Sequence, residues 1–247
     1  MLESKTALVT GCNRGIGKEV IRVFAENNIK TIFAHARKSS KEFTDYIQYL
    51  ENEYKVEVIP IYFDLKDSEA MKNEIKKIFS MKVNIDILVN NAGIAHGGLI
   101  QMTPISKIKD VFDVNFFSVV ELTQLVVKIM KKYGSGSVIN IASISGIDLK
   151  VGNCAYGTSK AALIAFTKTA SSELSSLGIR VNAICPGLTD TDMAKLMETR
   201  AEEEMIKESS MKRLGNPQEI ADLVCFLGSE KASFINGQAI RVDGGLN

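Results

Sequence analysis

Short apolar runs alternate with helical patterns along the whole chain. The runs are Thr6–Thr10, Thr31–Ala36, Val56–Tyr62, Ile85–Asn90, Ser137–Ile141, Arg180–Ile184 and Gln238–Val242, rich in Val and Ile. They read as strands buried on both faces, as parallel strands are. Between them, Ile16–Glu26 places Ile16, Val20, Val23 and Phe24 on one helical face. Ile105–Tyr133 repeats apolar residues at Val111, Val114, Val119, Leu122, Val126 and Ile129, and Tyr156–Leu177 carries Ala161, Leu163, Ala165, Phe166 and Leu174. A strand–helix period of roughly 25–30 residues implies βαβ units. The pattern predicts one α/β domain over residues 1–247, a doubly wound parallel sheet of about seven strands with helices on both faces. Only Thr189–Arg213 is irregular, charged and rich in Met and Glu. It reads either as a solvated helix pair or as a lid over a pocket.

Composition narrows the function classes. The chain has 247 residues, 45% hydrophobic and 24% charged, with a formal charge of +1. A nucleic-acid binder usually shows a clustered basic surplus, so none is expected as a partner. No apolar stretch reaches the roughly 18 residues a spanning helix needs, so no membrane is expected either. The opening Met1-Leu2-Glu3-Ser4-Lys5-Thr6 leaves no room for a signal peptide. The expected compartment is the cytoplasm. Cys12, Cys154, Cys185 and Cys225 form no C-x-x-C pair, and His35 and His96 are the only histidines. No metal site is expected, and neither histidine stands in a hydrolase nucleophile context.

The first strand ends in Thr10-Gly11-Cys12-Asn13-Arg14-Gly15-Ile16-Gly17, followed by a helix. Glycines let the backbone turn sharply and approach a ligand, and the helix start offers N–H groups to a pyrophosphate. A P-loop is excluded, because the residue five before Gly17 is Cys12 and Lys18 precedes Glu19. The spacing Gly11, Gly15, Gly17 also departs from G-x-G-x-x-G. Taken alone, the loop is a weak signal, since a tight turn without a ligand also uses such glycines.

Further motifs follow in order. Asn90-Asn91-Ala92-Gly93 closes the fourth run, Ser143 follows the fifth, Tyr156 and Lys160 lie thirteen and seventeen residues beyond Ser143, and Pro186-Gly187 follows the sixth. Together with the T-G-x-x-x-G-x-G loop, this order resembles the short-chain dehydrogenase/reductase family, from about Lys5 to the C-terminus. The resemblance implies a Rossmann-like fold, an oxidoreductase acting on CH–OH/C=O groups, and a homotetramer packed through the helices Ile105–Tyr133 and Tyr156–Leu177.

The residue chemistry agrees. Positions i and i+4 share a helix face, so Tyr156 and Lys160 point the same way. An ammonium beside a phenol lowers its pKa toward the working range, and a Ser143 hydroxyl can hydrogen-bond a substrate carbonyl. By the resemblance, Lys160 also holds the nicotinamide ribose and Asn115 supports a proton-relaying water. The resemblance also implies that Gly11, Asn13, Arg14, Gly15, Ile16 and Gly17 cradle the cofactor. Asn91, Ala92 and Gly93 line its adenine-ribose side, Asp64 and Leu65 stand beside adenine, and Pro186 and Gly187 complete the site. NAD-binding folds place an acid near the end of the second strand. Here the stretch is Ala34-His35-Ala36-Arg37-Lys38. Arg37 can pair a 2′-phosphate in bidentate fashion, and Arg14 is the family's second such position, so the expected cofactor is NADP(H). His35 offers a ring to adenine or, protonated, to the phosphate.

The segments Arg213-Leu214-Gly215-Asn216-Pro217 and Arg241-Val242-Asp243-Gly244-Gly245 are most similar to those of the 3-oxoacyl-[acyl-carrier-protein] reductases. That implies reduction of a 3-oxoacyl thioester, with acyl carrier protein as a partner. Two features depart from that branch. Ile94–Met102 carries no arginine, and Ser172 stands where a basic docking residue is expected. Lys128, Lys131 and Lys132 supply part of a basic patch. Relatives acting on sugars, steroids or small ketones share every catalytic residue named, so a small-molecule carbonyl substrate stays open. A non-catalytic dinucleotide sensor would typically lack Tyr156 or Lys160. Cys12, Cys154 and Cys185 lie beside site motifs and read either as alkylation-sensitive thiols or as buried, inert ones.

Overall fold

The computed structural model describes residues 1–194 and 199–246, with side chains omitted at 199–202. Seven strands form one sheet: β1 (Thr6–Thr10), β2 (Thr31–Ala36), β3 (Glu57–Tyr62), β4 (Ile87–Asn90), β5 (Gly136–Ile141), β6 (Ile179–Pro186) and β7 (Ala239–Val242). Their order is β3-β2-β1-β4-β5-β6-β7, and every pairing is parallel. Strand order reverses between β1 and β4, the point where open α/β sheets open a crevice at their carboxyl ends.

Burial explains why the strand residues are so uniformly apolar. Every residue of β1, β2 and β4 is buried, because helices cover both faces. The edge strands β3 and β7 are only partly buried. On one face lie α1 (Gly15–Glu26), α2 (Lys41–Tyr54) and, late in the chain, a helix over Pro217–Gly228. They contribute Phe24, Phe43, Leu50 and Val224 to the larger core. On the other face lie α3 (Ser68–Ser80), α4 (Ile105–Phe112), α5 (Ser118–Tyr133) and α6 (Cys154–Leu174). Met71, Ile78, Leu122 and Val126 pack there against Leu8, Phe33 and Leu88. Ser40 caps α2 and Asp67 caps α3, each accepting a backbone N–H from the first turn.

The helix expected as one piece over Ile105–Tyr133 is interrupted. Asp113–Phe117 forms a π-helical turn between α4 and α5. Such single-turn bulges insert a residue into the hydrogen-bond ladder and often mark functional positions. Asn115 sits in the middle of this one.

After β6, the chain forms α7 (Thr199–Glu208) and then α8 (Pro217–Gly228). Asn216 and Glu219 make a reciprocal capping box, with Pro217 at the start of α8. The segment Thr189–Arg213, read as a solvated helix pair or a lid, thus contains a helix, and its residues 195–198 lie outside the described residues. Both ends of the segment are anchored. Thr189 bridges Gly215, and the Ser210 and Met211 amides donate to the carbonyls of Gly245 and Gly244 at 3.1 and 3.0 Å. Among the described residues, no helix is long and apolar enough to cross a membrane.

Candidate active site

The sequence motifs converge on the carboxyl ends of β1 to β6. On the β1 side, Gly11 and Gly15 take φ of +73° and +55°, the left-handed region that glycine enters without strain. At Gly17 the need is space: a Cβ there would stand 2.2 Å from the Gly11 carbonyl oxygen. Thr10 ties this loop to β4. Its hydroxyl accepts the amides of Asn91 and Ala92 at 2.9 and 3.0 Å and donates to Val89 O at 3.3 Å. The Asn91 side chain returns a bond to Thr10 O at 2.8 Å.

The loop fits the pyrophosphate of a dinucleotide. The residue preceding α1, Arg14, makes no side-chain cap, and the first turn holds no acid. The amides there are therefore available to an anion. Asn13 and Arg14 are exposed, and Arg14 lies 3.9 Å from Asp192. A cleft of about 370 Å³ opens between Gly15, Lys18, Thr191 and Asn216. Arg37 is exposed just beyond β2. Asp64 is exposed after β3, its carboxylate accepting the Lys66 amide at 2.9 Å. Leu65 packs against the second core.

On the β4–β6 side, side chains rather than glycines do the holding. Asn115 is fully buried. Its carbonyl oxygen accepts the Ile94 amide at 2.9 Å. Its amide group donates to Ile94 O at 2.9 Å and to Ser159 Oγ at 3.1 Å. Gly93 leaves room beside it: a Cβ would lie 3.1 Å from Asn115 Oδ1 and 3.6 Å from Lys160 Nζ. Lys160 is 4% exposed and donates to Ile141 O at 2.7 Å. Its Nζ stands 5.8 Å from the centroid of the Tyr156 ring. Ser143 is buried and begins the single helical turn Ile144–Gly146, its Oγ accepting the Ser145 amide at 3.1 Å. Pro186 ends β6, and the Gly187 amide donates to Val242 O at 2.9 Å.

The electrostatics depart from expectation in one respect. Burial raises the Tyr156 pKa, partly offset by a hydrogen bond with Ser143. Lys160, whose ammonium donates to the Ile141 carbonyl at 2.7 Å, is not among the groups that lower it. Burial pushes Lys160 itself down to about 8. A protonated phenol is the form that can deliver a proton.

Three sequence readings change. Cys12 and Cys185 are buried, and burial raises both thiols, Cys185 to about 11, which disfavours the reactive thiolate and supports the buried, inert alternative for these two. Only Cys154 of the three is partly accessible. His35, read as a ring for adenine or phosphate, is instead 2% exposed within β2, and burial lowers its pKa. Within α6, a helix expected to pack between subunits, the small residues Ala170 and Ser171 are buried inside the chain.

Some site positions were not singled out from the sequence. Thr10 is the hub between glycine loop and β4. Gly146 and Gly157 let the Ser143 turn seat on α6: a Cβ at Gly146 would lie 2.7 Å from Ala161 N, and one at Gly157 2.7 Å from Ser145 O. A glycine inside a helical pattern, as at Gly157, was the available signal.

The crevice at the switch point, the glycine loop and the Ser143, Tyr156, Lys160 group define a short-chain dehydrogenase/reductase. The chain belongs to this family, an oxidoreductase acting on CH–OH/C=O groups with a nicotinamide dinucleotide. Residues 11–247 match the family model described as enoyl-(acyl carrier protein) reductase. Curated relatives named 3-oxoacyl-[acyl-carrier-protein] reductase FabG are similar over nearly their full length. The protein of Thermotoga maritima is 36% identical over 99% of this chain and 98% of its own. That of Staphylococcus epidermidis is 35% identical over 98% of this chain and 99% of its own. Among solved structures, a short-chain type dehydrogenase/reductase from Mycobacterium ulcerans superposes with TM-score 0.93 at 25% identity, covering 99% of this chain and 90% of its own. YwfH, an NADPH-dependent reductase of bacilysin biosynthesis, superposes with TM-score 0.92 at 26% identity, covering 99% of both chains.

Proposed function

We propose that the enzyme reduces a 3-oxoacyl thioester to the 3-hydroxyacyl form with NADPH. The joint placement of Ser143, Tyr156, Lys160 and Asn115 carries the carbonyl-reducing part of this reading. The thioester part rests on the relatives of that printed name at 34–36% identity over nearly full length. The dinucleotide, when bound, supplies the hydride. Tyr156 delivers the proton to the carbonyl oxygen, and its raised pKa keeps that proton in place at neutral pH. Ser143 hydrogen-bonds the same oxygen as charge develops. Lys160 holds the nicotinamide ribose and presents its positive charge to the phenolate as it forms. Asn115 fixes the Ile94 backbone and supports the water that returns a proton to Lys160.

Gly11, Asn13, Arg14, Gly15, Ile16 and Gly17 receive the pyrophosphate side. Asp64 and Leu65 flank adenine, Asn91 to Gly93 line the ribose, and Pro186 and Gly187 close the nicotinamide side. Arg37 and Arg14 select the 2′-phosphate. Leu149 and Val151, exposed on the loop after Ser143, favour an apolar acyl group over a sugar. Acyl carrier protein is the proposed carrier, with Lys128, Lys131 and Lys132 in its docking patch. The proposed assembly is a homotetramer in the cytoplasm, and the proposed domain is single.

The test is NADPH oxidation, followed by absorbance, with a 3-oxoacyl thioester set against sugar, steroid and small ketones. The thioester should exceed the others by at least about tenfold in kcat/KM, some 1.4 kcal/mol of transition-state discrimination. Turnover confined to a sugar or steroid, or a preference for NADH, would overturn the proposal.

A further inference from the structure

A buried imidazole inside a strand needs an explanation. Burying a polar ring is unfavourable unless its nitrogens find partners, and an apolar side chain would serve packing at least as well. His35 lies in β2, in register with Thr10 of β1 on one side and Ile61 of β3 on the other. Its ring spends both nitrogens across these two neighbours. Nε2 stands 2.9 Å from the Phe63 carbonyl oxygen. A carbonyl only accepts, so this nitrogen carries the hydrogen. Nδ1 is then the acceptor, and the Gly11 amide donates to it at 3.4 Å. The ring also lies against Phe63, with centroids 4.2 Å apart. The main chain repeats the link, since the Cys12 amide donates to His35 O at 2.9 Å.

The two bonded groups are not arbitrary. Gly11 opens the glycine loop. Phe63 immediately precedes Asp64 and Leu65, the pair placed beside adenine. Arg37 follows His35 by two residues. One side chain thus joins three pieces of backbone around the adenosine end of the crevice, without reaching the crevice itself.

We propose that His35 is a positioning residue for the dinucleotide, its two ring nitrogens locking the glycine loop and the Asp64–Leu65 turn into one register. It acts through backbone groups and touches no reacting atom. The inference rests on the reading that a dinucleotide binds across the glycine loop.

The experiment compares the full-length wild type with His35→Leu and His35→Asn. Each is titrated with NADPH and with NADH by fluorescence, and kcat and carbonyl KM are then measured at saturating cofactor. His35→Leu fills the space but leaves both backbone groups unpaired. Its affinity for both cofactors should fall about 3- to 10-fold, the scale of one or two neutral hydrogen bonds. kcat and carbonyl KM should stay within about twofold. His35→Asn restores an acceptor near the Gly11 amide and should recover part of the loss. If His35→Leu does not fold, the asparagine variant carries the test: its cofactor affinity should lie below wild type with kcat unchanged. A folded variant that binds both cofactors as wild type does, or one whose kcat falls in step with affinity, would overturn the inference. A wild type that binds neither dinucleotide would instead overturn the reading of the site beneath it.

Discussion

The two halves of the crevice are built by different means. Around β1 to β3, the backbone does most of the work. Gly11, Gly15 and Gly17 open space, α1 presents uncapped amides, and the cations Arg14 and Arg37 are exposed. Around β4 to β6, buried side chains dominate. Asn115 has three hydrogen bonds to Ile94 and Ser159, Lys160 is desolvated against Ile141, and Ser143 is enclosed at the end of β5. The first half can accept a long anionic ligand at an open surface, where charge is screened by water. The second holds a few groups in a low-dielectric setting, where the same charges act more strongly. Binding and chemistry are therefore separable by mutation.

Tyr156→Phe gives the largest expected effect and belongs to the second half alone. Turnover should fall at least ~10²-fold, the usual scale for losing a general acid, while the NADPH dissociation constant changes little. More than half the activity remaining would break the assignment. Arg37→Asp is the reciprocal change. Charge-assisted hydrogen bonds are worth about 1.5–3 kcal/mol, so NADPH affinity should drop by roughly one to two orders of magnitude. NADH use should rise and kcat at saturation should hold. Arg14 limits the switch. The ratio of catalytic efficiencies with the two cofactors measures it, and an unchanged ratio would remove the basis for naming NADP(H).

Lys160 is where the halves meet, and pH addresses it most gently. Its ammonium is held down at about 8 by burial. As pH rises through that value, the charge that supports the Tyr156 phenolate is lost. Carbonyl reduction should fall above it, by at most about tenfold for each further pH unit if one proton is involved. The folded pKa lies below the unfolded one. The unfolded chain therefore binds more protons between about 8 and the ordinary lysine value of 10.5, and this group's contribution to stability rises with pH across that window. A kcat/KM profile flat from pH 7 to pH 9 would exclude Lys160 as the group that titrates.

Much of this arrangement was legible in the sequence, because parallel strands buried on both faces leave an unmistakable run of Val and Ile. The Thr6–Thr10 and Thr31–Ala36 boundaries match the structure. The motifs were readable because each combines residue type with spacing. What escaped was phase and occupancy. The apolar positions Val111, Val114, Val119, Leu122, Val126 and Ile129 step by three or four except from Val114 to Val119, a step of five across Asp113–Phe117 that was the one trace of the π turn. Periodicity reports which face is covered, not how the backbone bonds within it. His35 was misread because a histidine next to a cofactor motif suggests contact. Strand alternation instead turns it inward with Phe33, into the second core. The Lys160 commitment to Ile141 was equally hidden, since a backbone acceptor carries no mark in sequence.

That bond has a meaning beyond the placement of one residue. An ammonium that is 4% exposed, with its pKa drawn from 10.5 to about 8, sits on the order of 3 kcal/mol above its hydrated state. The resting protein carries this destabilisation before any ligand arrives. A lysine free in water would lower its energy by orienting solvent, and that solvent would have to turn again as the phenolate formed. Here a dipole that answers the charge, the Ile141 carbonyl, is covalently part of β5 and does not turn as solvent does. The reorganisation that a reaction in water meets at its barrier has been moved into folding, where the buried core that surrounds Ile141 offsets it.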